Sequence, residues 1–192
     1  MSTPDPGRGA PHGLEPSSWI TRYAHLVPAG ARVLDLACGT GRHARFFAER
    51  GCRVLAVDRD AAALAGMKDI AGIETRAADL ESGIWPFAGE HFGAIVVTHY
   101  LHRPLFPHLR AALAEDGALL YETFARGNEA FGRPSNPDFL LERDELLRLC
   151  GMPLTVVAFE QGCVDQGGKT AVVQRVAALL SLRRGPPRLA PP

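Results

Sequence analysis

Apolar residues fall in short dense runs separated by polar stretches of helical period, and this alternation sets the expected architecture. "ARVLDLA", Ala31 to Ala37, and "CRVLAVD", Cys52 to Asp58, are buried-strand patterns. Between them, "GRHARFFAERG" reads as a helix that Gly51 stops. The alternation then continues. Asp60 is placed to cap "AAALAGMKDI", "IETRAAD" is a weaker strand, and "FGAIVVTHYL" is a β-branched strand. "PLFPHLRAALAEDG" predicts a helix with Pro104 in its first turn and Pro107 as a distortion. "ALLYETF" is a fifth strand and "LERDELLRLCG" a further helix. Upstream, "SSWITRYAHLV" predicts a short amphipathic helix capped by Ser17 or Ser18, with Trp19, Tyr23 and Leu26 near one face. At the other end, "LTVVAF" and "TAVVQRVAALL" flank the Gly-rich "QGCVDQGGK" and predict a hairpin.

Strands alternating with helices mean βαβ units. The expected fold is α/β: a Rossmann-like, doubly wound, mostly parallel seven-stranded sheet with a C-terminal antiparallel hairpin strand. The chain of 192 residues suits one domain, expected over 17–182. Pro- and Gly-rich tails, 1–16 and 183–192, flank it. In such sheets ligands bind beyond the C-terminal ends of the strands. Those ends here carry Asp35, Asp58, Asp79, Thr98 and Glu122.

Composition narrows the function classes. Basic and acidic residues are equal at 21 each, so the chain lacks the net cationic charge that draws proteins to nucleic acid. Cys38, Cys52, Cys150 and Cys163 form no C-x-x-C pair, which argues against a zinc ribbon or redox dithiol. His99 and His102 lack further ligands, so no metal is expected. No signal-peptide pattern or membrane-length apolar run is present, and a cytoplasmic protein is the simplest expectation.

The turn "VLDLACGTGRHARFF" is the centre of the chemistry. Gly39-x-Gly41-x-x-Ala44, followed by Asp58 at the end of the next strand, satisfies a dinucleotide fingerprint. It equally serves another nucleotide-type ligand. Asp35 lies just ahead of the glycines, where a carboxylate would repel a pyrophosphate but suit an ammonium and a sulfonium. Asp79 stands where a carboxylate can accept an adenine amine, and the chain has no room for a separate dehydrogenase substrate domain.

Taken together, "VLDLACGTGRHARFFAERGCRVLAVDRD", "AADLE", "FGAIVVTHYLH" and "LRAALAEDGALLYETF" resemble a class I S-adenosylmethionine-dependent methyltransferase over about three quarters of the chain. The Gly-Arg after the turn and the compact size are similar to the tellurite-resistance type of small methyltransferase. The resemblance implies S-adenosylmethionine as cofactor. It places Asp35 and the backbone of Ala37, Gly39 and Gly41 at the methionine part, and Asp58 on the ribose hydroxyls. Arg59 covers the adenine, Asp79 and Leu80 hold its edge, and Thr98 and His99 lie beside the methionine moiety. Arg22, on the leading helix, is a candidate for the methionine carboxylate, with a plain surface position as the alternative.

"THYLH" lacks the Asn/Asp-Pro-Pro-aromatic signature of enzymes that methylate amino groups on DNA or glutamine. A small-molecule acceptor is therefore expected, with nucleic acid disfavoured and the oligomeric state open. No residue is assigned as catalytic. If the acceptor needs a base, His99, Tyr100, His102 and Glu122 are the candidates. The segment from Phe124 to Asn136 is long for a connection and is expected to act as a substrate-side lid. Two alternatives share the fold: a non-catalytic cofactor-binding partner protein, and a minimal NAD(P)-linked oxidoreductase.

Overall fold

Parallel strands that bury both faces need near-continuous apolar runs, and the central segments of this chain supply them. The computed structural model describes residues 15–166 and 168–180, together with Pro187 and Leu189. The expected tails lie outside the described residues except for Glu15, Pro16, Pro187 and Leu189. β1 (Arg32–Leu36) pairs in parallel with β2 (Arg53–Asp58) on one side and β4 (Phe92–Thr98) on the other. β3 (Ile73–Ala77) adds to β2, and β5 (Leu113–Phe124) adds to β4, both in parallel. β6 (Thr155–Gln166) and β7 (Lys169–Leu179) form the hairpin, with β7 running against both β5 and β6. The order is β3-β2-β1-β4-β5-β7-β6. The winding reverses between β1 and β4, where sheets of this kind open a crevice at their C-terminal edge.

Alternation along the strands feeds two cores. Val33, Val54, Val96 and Leu120 pack with Trp19, Phe47, Leu64 and Met67 beneath α1 (Ser18–Tyr23), α2 (Arg42–Glu49) and α3 (Ala61–Ala65). Leu34, Leu55, Ile95 and Tyr121 pack on the opposite face with Phe106, Leu109 and Leu146 of α4 (Phe106–Ala112) and α5 (Glu145–Leu149).

Several boundaries differ from expectation. Ser17 does cap α1, its hydroxyl accepting from Trp19 N at 3.2 Å. Asp60 caps α3 through Ala62 N and Ala63 N, but the helix stops at Ala65, where Gly66 ends it. Pro107 does not distort a helix; it sits in the first turn of α4, after a 3-10 turn over Arg103–Leu105. The chain leaves α4 for β5 at Leu113, and "AEDG" is absorbed by a break in strand register opposite Phe92 and Ala94. α5 begins only at Glu145, because Asp144 is left-handed at φ 57°. Most of "QGCVDQGGK" is strand rather than loop, since β6 continues to Gln166.

Candidate functional site

The turn after β1 is built from backbone. Ala37, Gly39 and Gly41 have φ of 53°, 55° and 79°. A left-handed alanine costs roughly 1–3 kcal/mol and persists only where its surroundings enforce it. The two glycines serve different ends. A Cβ on Gly39 would meet nothing within 4 Å, whereas one on Gly41 would lie 1.7 Å from Met67 Sδ. Gly39 thus faces open space, and Gly41 is required by the packing of α2 on the chain after α3.

Asp58 ends β2 and ties the turn together. Its Oδ2 accepts from Gly39 N at 2.8 Å and its Oδ1 from Asp60 N at 2.9 Å. Each oxygen retains acceptor capacity. Asp58 lines a cavity of about 400 Å³ at the C-terminal edge of the sheet, within the roughly 300–1,000 Å³ of small-ligand pockets. Ala37, Arg59, Leu80 and His99 share that wall. Ala78, Glu81, Tyr100, Leu101, Thr123 and Phe124 complete it, and Pro134 and Phe139 reach in from the long segment after β5.

Five of the eleven residues assigned from the sequence therefore meet on one cavity wall, and six do not. Arg22 pairs with Glu160 of β6 at 3.2 Å. Asp79 is exposed, and its Oδ1 accepts from Glu81 N at 2.9 Å, while its neighbours Leu80 and Glu81 line the cavity. Asp35 is 1% exposed beneath the turn. Its Oδ2 has no hydrogen-bond partner, and burial raises its pKa to about 7, against the Ala44 backbone amide and Arg42. Gly39 and Gly41 are adjacent backbone. Thr98 lies behind His99, its Oγ1 3.4 Å from His43 Nδ1.

His99 follows β4 at φ 55°, its ring stacked on Phe124 with centroids 4.8 Å apart. Its pKa is lowered to about 4, first by burial and then by Arg42. The ring is 38% exposed, so solvent screening trims the Arg42 contribution. The imidazole is neutral at neutral pH and can take a proton. The other candidate bases are worse placed. Burial and Glu81 push the Tyr100 phenol well up, so it stays protonated. Glu122 is fully buried against Arg175, at 3.3 Å, and accepts from Ser17 Oγ at 3.1 Å. His102 lines neither cavity.

Sequence reasoning missed two features. His43, 1% exposed, accepts from Ser17 N at 3.1 Å through Nε2, which leaves the proton on Nδ1 toward Thr98. Burial lowers its pKa to about 3, and it ties the leading helix to the site. The other is Arg42. Its guanidinium acts on Asp35, His43, His99 and Glu122 alike, yet its side chain makes no ion pair among the described residues. The Gly-Arg pair after the turn was the available signal. A second cavity, of about 490 Å³, adjoins the first across His99 and Phe124.

Residues 33–120, from β1 into β5, match the family model described as a methyltransferase domain. Among solved structures, an S-adenosylmethionine-dependent methyltransferase from Mesorhizobium loti is 19% identical, with a TM-score of 0.67 over 87% of this chain and 100% of that one. TehB from Haemophilus influenzae is 16% identical with a TM-score of 0.69, over 85% of this chain. The chain spans only 61% of TehB. The glycopeptide N-methyltransferase MtfA, solved with S-adenosyl-L-homocysteine, is 17% identical with a TM-score of 0.60, over 85% of this chain and 88% of its own. These likenesses concern the fold. No curated protein matches the sequence. Among the described residues no helix is long and apolar enough to cross a membrane.

Proposed function

We propose that this chain is a class I S-adenosylmethionine-dependent methyltransferase acting on a small-molecule acceptor, with the cofactor in the first cavity and the acceptor entering from the second. The observation that carries the reading is Asp58, oriented by Gly39 N and Asp60 N at the rim of a cavity beside the β1/β4 switch point. A carboxylate so held suits a pair of vicinal ribose hydroxyls. Two half-open cavities of small-ligand size on a chain of zero formal charge favour a small acceptor over a nucleic acid. The coclaurine N-methyltransferase and glycopeptide N-methyltransferase among the similar folds are consistent with this.

The residues present fit the cofactor. An orphaned buried carboxylate oxygen on Asp35, near the uncommitted cation of Arg42, matches a zwitterionic amino-acid head. The same carboxylate disfavours a pyrophosphate, and hence the oxidoreductase reading. We assign the methionine ammonium to Asp35, directly or through water. We assign the carboxylate to Arg42 rather than Arg22, whose charge is spent on Glu160. Ala78, Leu80 and Leu101 supply an apolar wall for the adenine, and Arg59 its polar cover.

Bound S-adenosylmethionine supplies a methyl already made electrophilic by its sulfonium. The protein's share is positioning and exclusion of water. His99, on both cavity walls, is the group placed to hold a proton released by a hydroxyl or amine acceptor. Phe139 and Pro134 cover the first cavity from the side of solvent.

The test is calorimetry with S-adenosylhomocysteine on the native chain and on Asp58→Ala. A loss of at least about tenfold in affinity with the fold retained is expected. Unchanged affinity would falsify the placement. Incubation of a metabolite extract with methyl-labelled cofactor then shows by mass spectrometry whether the labelled product is a small molecule.

A further inference from the structure

The second cavity carries free charge of one sign. Its walls come from the segment after β5 and from the hairpin, with Phe124, Val164 and Val173 giving an apolar lining. Two of its polar side chains are already engaged. Asn128 donates through Nδ2 to Pro134 O and accepts through Oδ1 from Val172 N, both at 3.1 Å, which fixes the segment to β7. The Thr170 hydroxyl donates to Asp165 Oδ1 at 2.7 Å. Arg133 and Lys169 remain. Both line the cavity, Arg133 from the segment after β5 and Lys169 from the hairpin, and neither makes an ion pair among the described residues. No Asp or Glu is among the lining residues. Two exposed, uncommitted cations on one cavity, with no carboxylate beside them in its lining, favour an anion there.

We propose that this cavity seats an acceptor with an apolar, preferably aromatic, body and an anionic carboxylate or phosphate group held between Arg133 and Lys169. The inference rests on the methyltransferase reading above, since His99 and Phe124 are the wall it shares with the cofactor cavity. The guanidinium of Arg133 gives the anion a planar fork, and the ammonium of Lys169 a point charge. An anion anchored at that end leaves the far end of the acceptor to reach the neutral imidazole of His99. The anchor therefore supplies orientation as well as affinity.

The test uses the full chain saturated with S-adenosylhomocysteine. The probes are aryl carboxylates and aryl phosphates, each matched with its uncharged amide or alcohol. Binding is read from the amide NMR shifts of Gly132 and Ala171. The acids should bind at least about tenfold more tightly than their neutral counterparts. The double variant Arg133→Gln/Lys169→Gln should abolish that preference and leave S-adenosylhomocysteine affinity unchanged, while Arg133→Lys should keep part of it. Equal binding of acids and neutral partners, no shift with any acid, or a preference that survives the double variant overturns the proposal. Failure of the native chain to bind S-adenosylhomocysteine takes down the cofactor reading and this one with it. Failure confined to the acids takes down only this one.

Discussion

The two cavities meet at His99, but they are built from different materials. The first rests on tight backbone turns at the ends of β1, β2 and β4, where Ala37, Gly39, Gly41 and His99 all take positive φ. The second is walled by side chains of a long segment and a hairpin, with Phe131 53% exposed and Arg133 outside any regular element. Backbone geometry tolerates few substitutions, while side chains on loops tolerate many. On the proposed reading, the first kind of wall holds the cofactor and the second the acceptor.

The contrast breaks most sharply at Gly41. A side chain there collides with Met67 and takes φ 79°. Overpacking costs about 1–3 kcal/mol, and the left-handed backbone roughly 1–2 kcal/mol more. Gly41→Val should therefore lower Tm steeply, whereas Phe131→Ala, on the acceptor side, should leave Tm almost unchanged. Thermal melts of the two variants decide the matter. Similar melts would mean that the two walls do not differ in rigidity.

The arginines come next. Arg42→Gln should weaken S-adenosylhomocysteine binding about tenfold, the loss of one charge-assisted contact. Arg22→Gln should change it less than about twofold, because its exposed pair with Glu160 is worth at most about 1 kcal/mol to the fold. The reverse ranking in a titration would return the methionine carboxylate to Arg22.

Two buried groups near the glycine turn give opposed slopes. His43 is depressed from 6.5 to about 3, so its contribution is complete above pH 6.5 and is lost as pH falls toward 3. Asp35 is raised from 3.8 to about 7, so its contribution is complete below 3.8 and is lost as pH rises through 7. In denaturant titrations, His43→Gln should flatten the acid-side loss between pH 6.5 and 3. Asp35→Asn should flatten the loss between pH 3.8 and 7. A profile unchanged by either variant would show that the group does not titrate as its burial requires.

How much the sequence discloses follows the same division. The glycine turn, Asp58 and the seven strands are legible because each answers to a local requirement: a positive φ, a strand end, a buried run. Helix ends are less so, since α3, α4 and α5 stop or start where Gly66, Leu113 and Asp144 meet tertiary constraints. Arg22 is open in the sequence to a ligand or a surface role, and its exposed pair with Glu160, 138 residues away, is not legible there. His43 leaves no periodic trace, because its partner Ser17 is the cap of another helix, 26 residues away. The wall of the second cavity carried one legible clue, the length of the segment after β5. What that segment encloses depends on Asn128 tying it to β7.

The smallest expected effects fall on the two half-exposed phenylalanines of that segment, and they separate the cavities most finely. Phe139, 49% exposed, lines the first cavity, and Phe131 lines the second. Each ring covers its cavity on one face only, so truncation removes part of the burial of a phenylalanine, about 1 kcal/mol, or roughly a fivefold change. Phe139→Ala should raise the dissociation constant of S-adenosylhomocysteine by that factor and leave the acceptor KM little altered at saturating cofactor. Phe131→Ala should do the opposite, raising acceptor KM with cofactor affinity intact. If one substitution moves both constants together, the segment closes over the two ligands as a single lid. The division at His99 and Phe124 would then describe the open protein only.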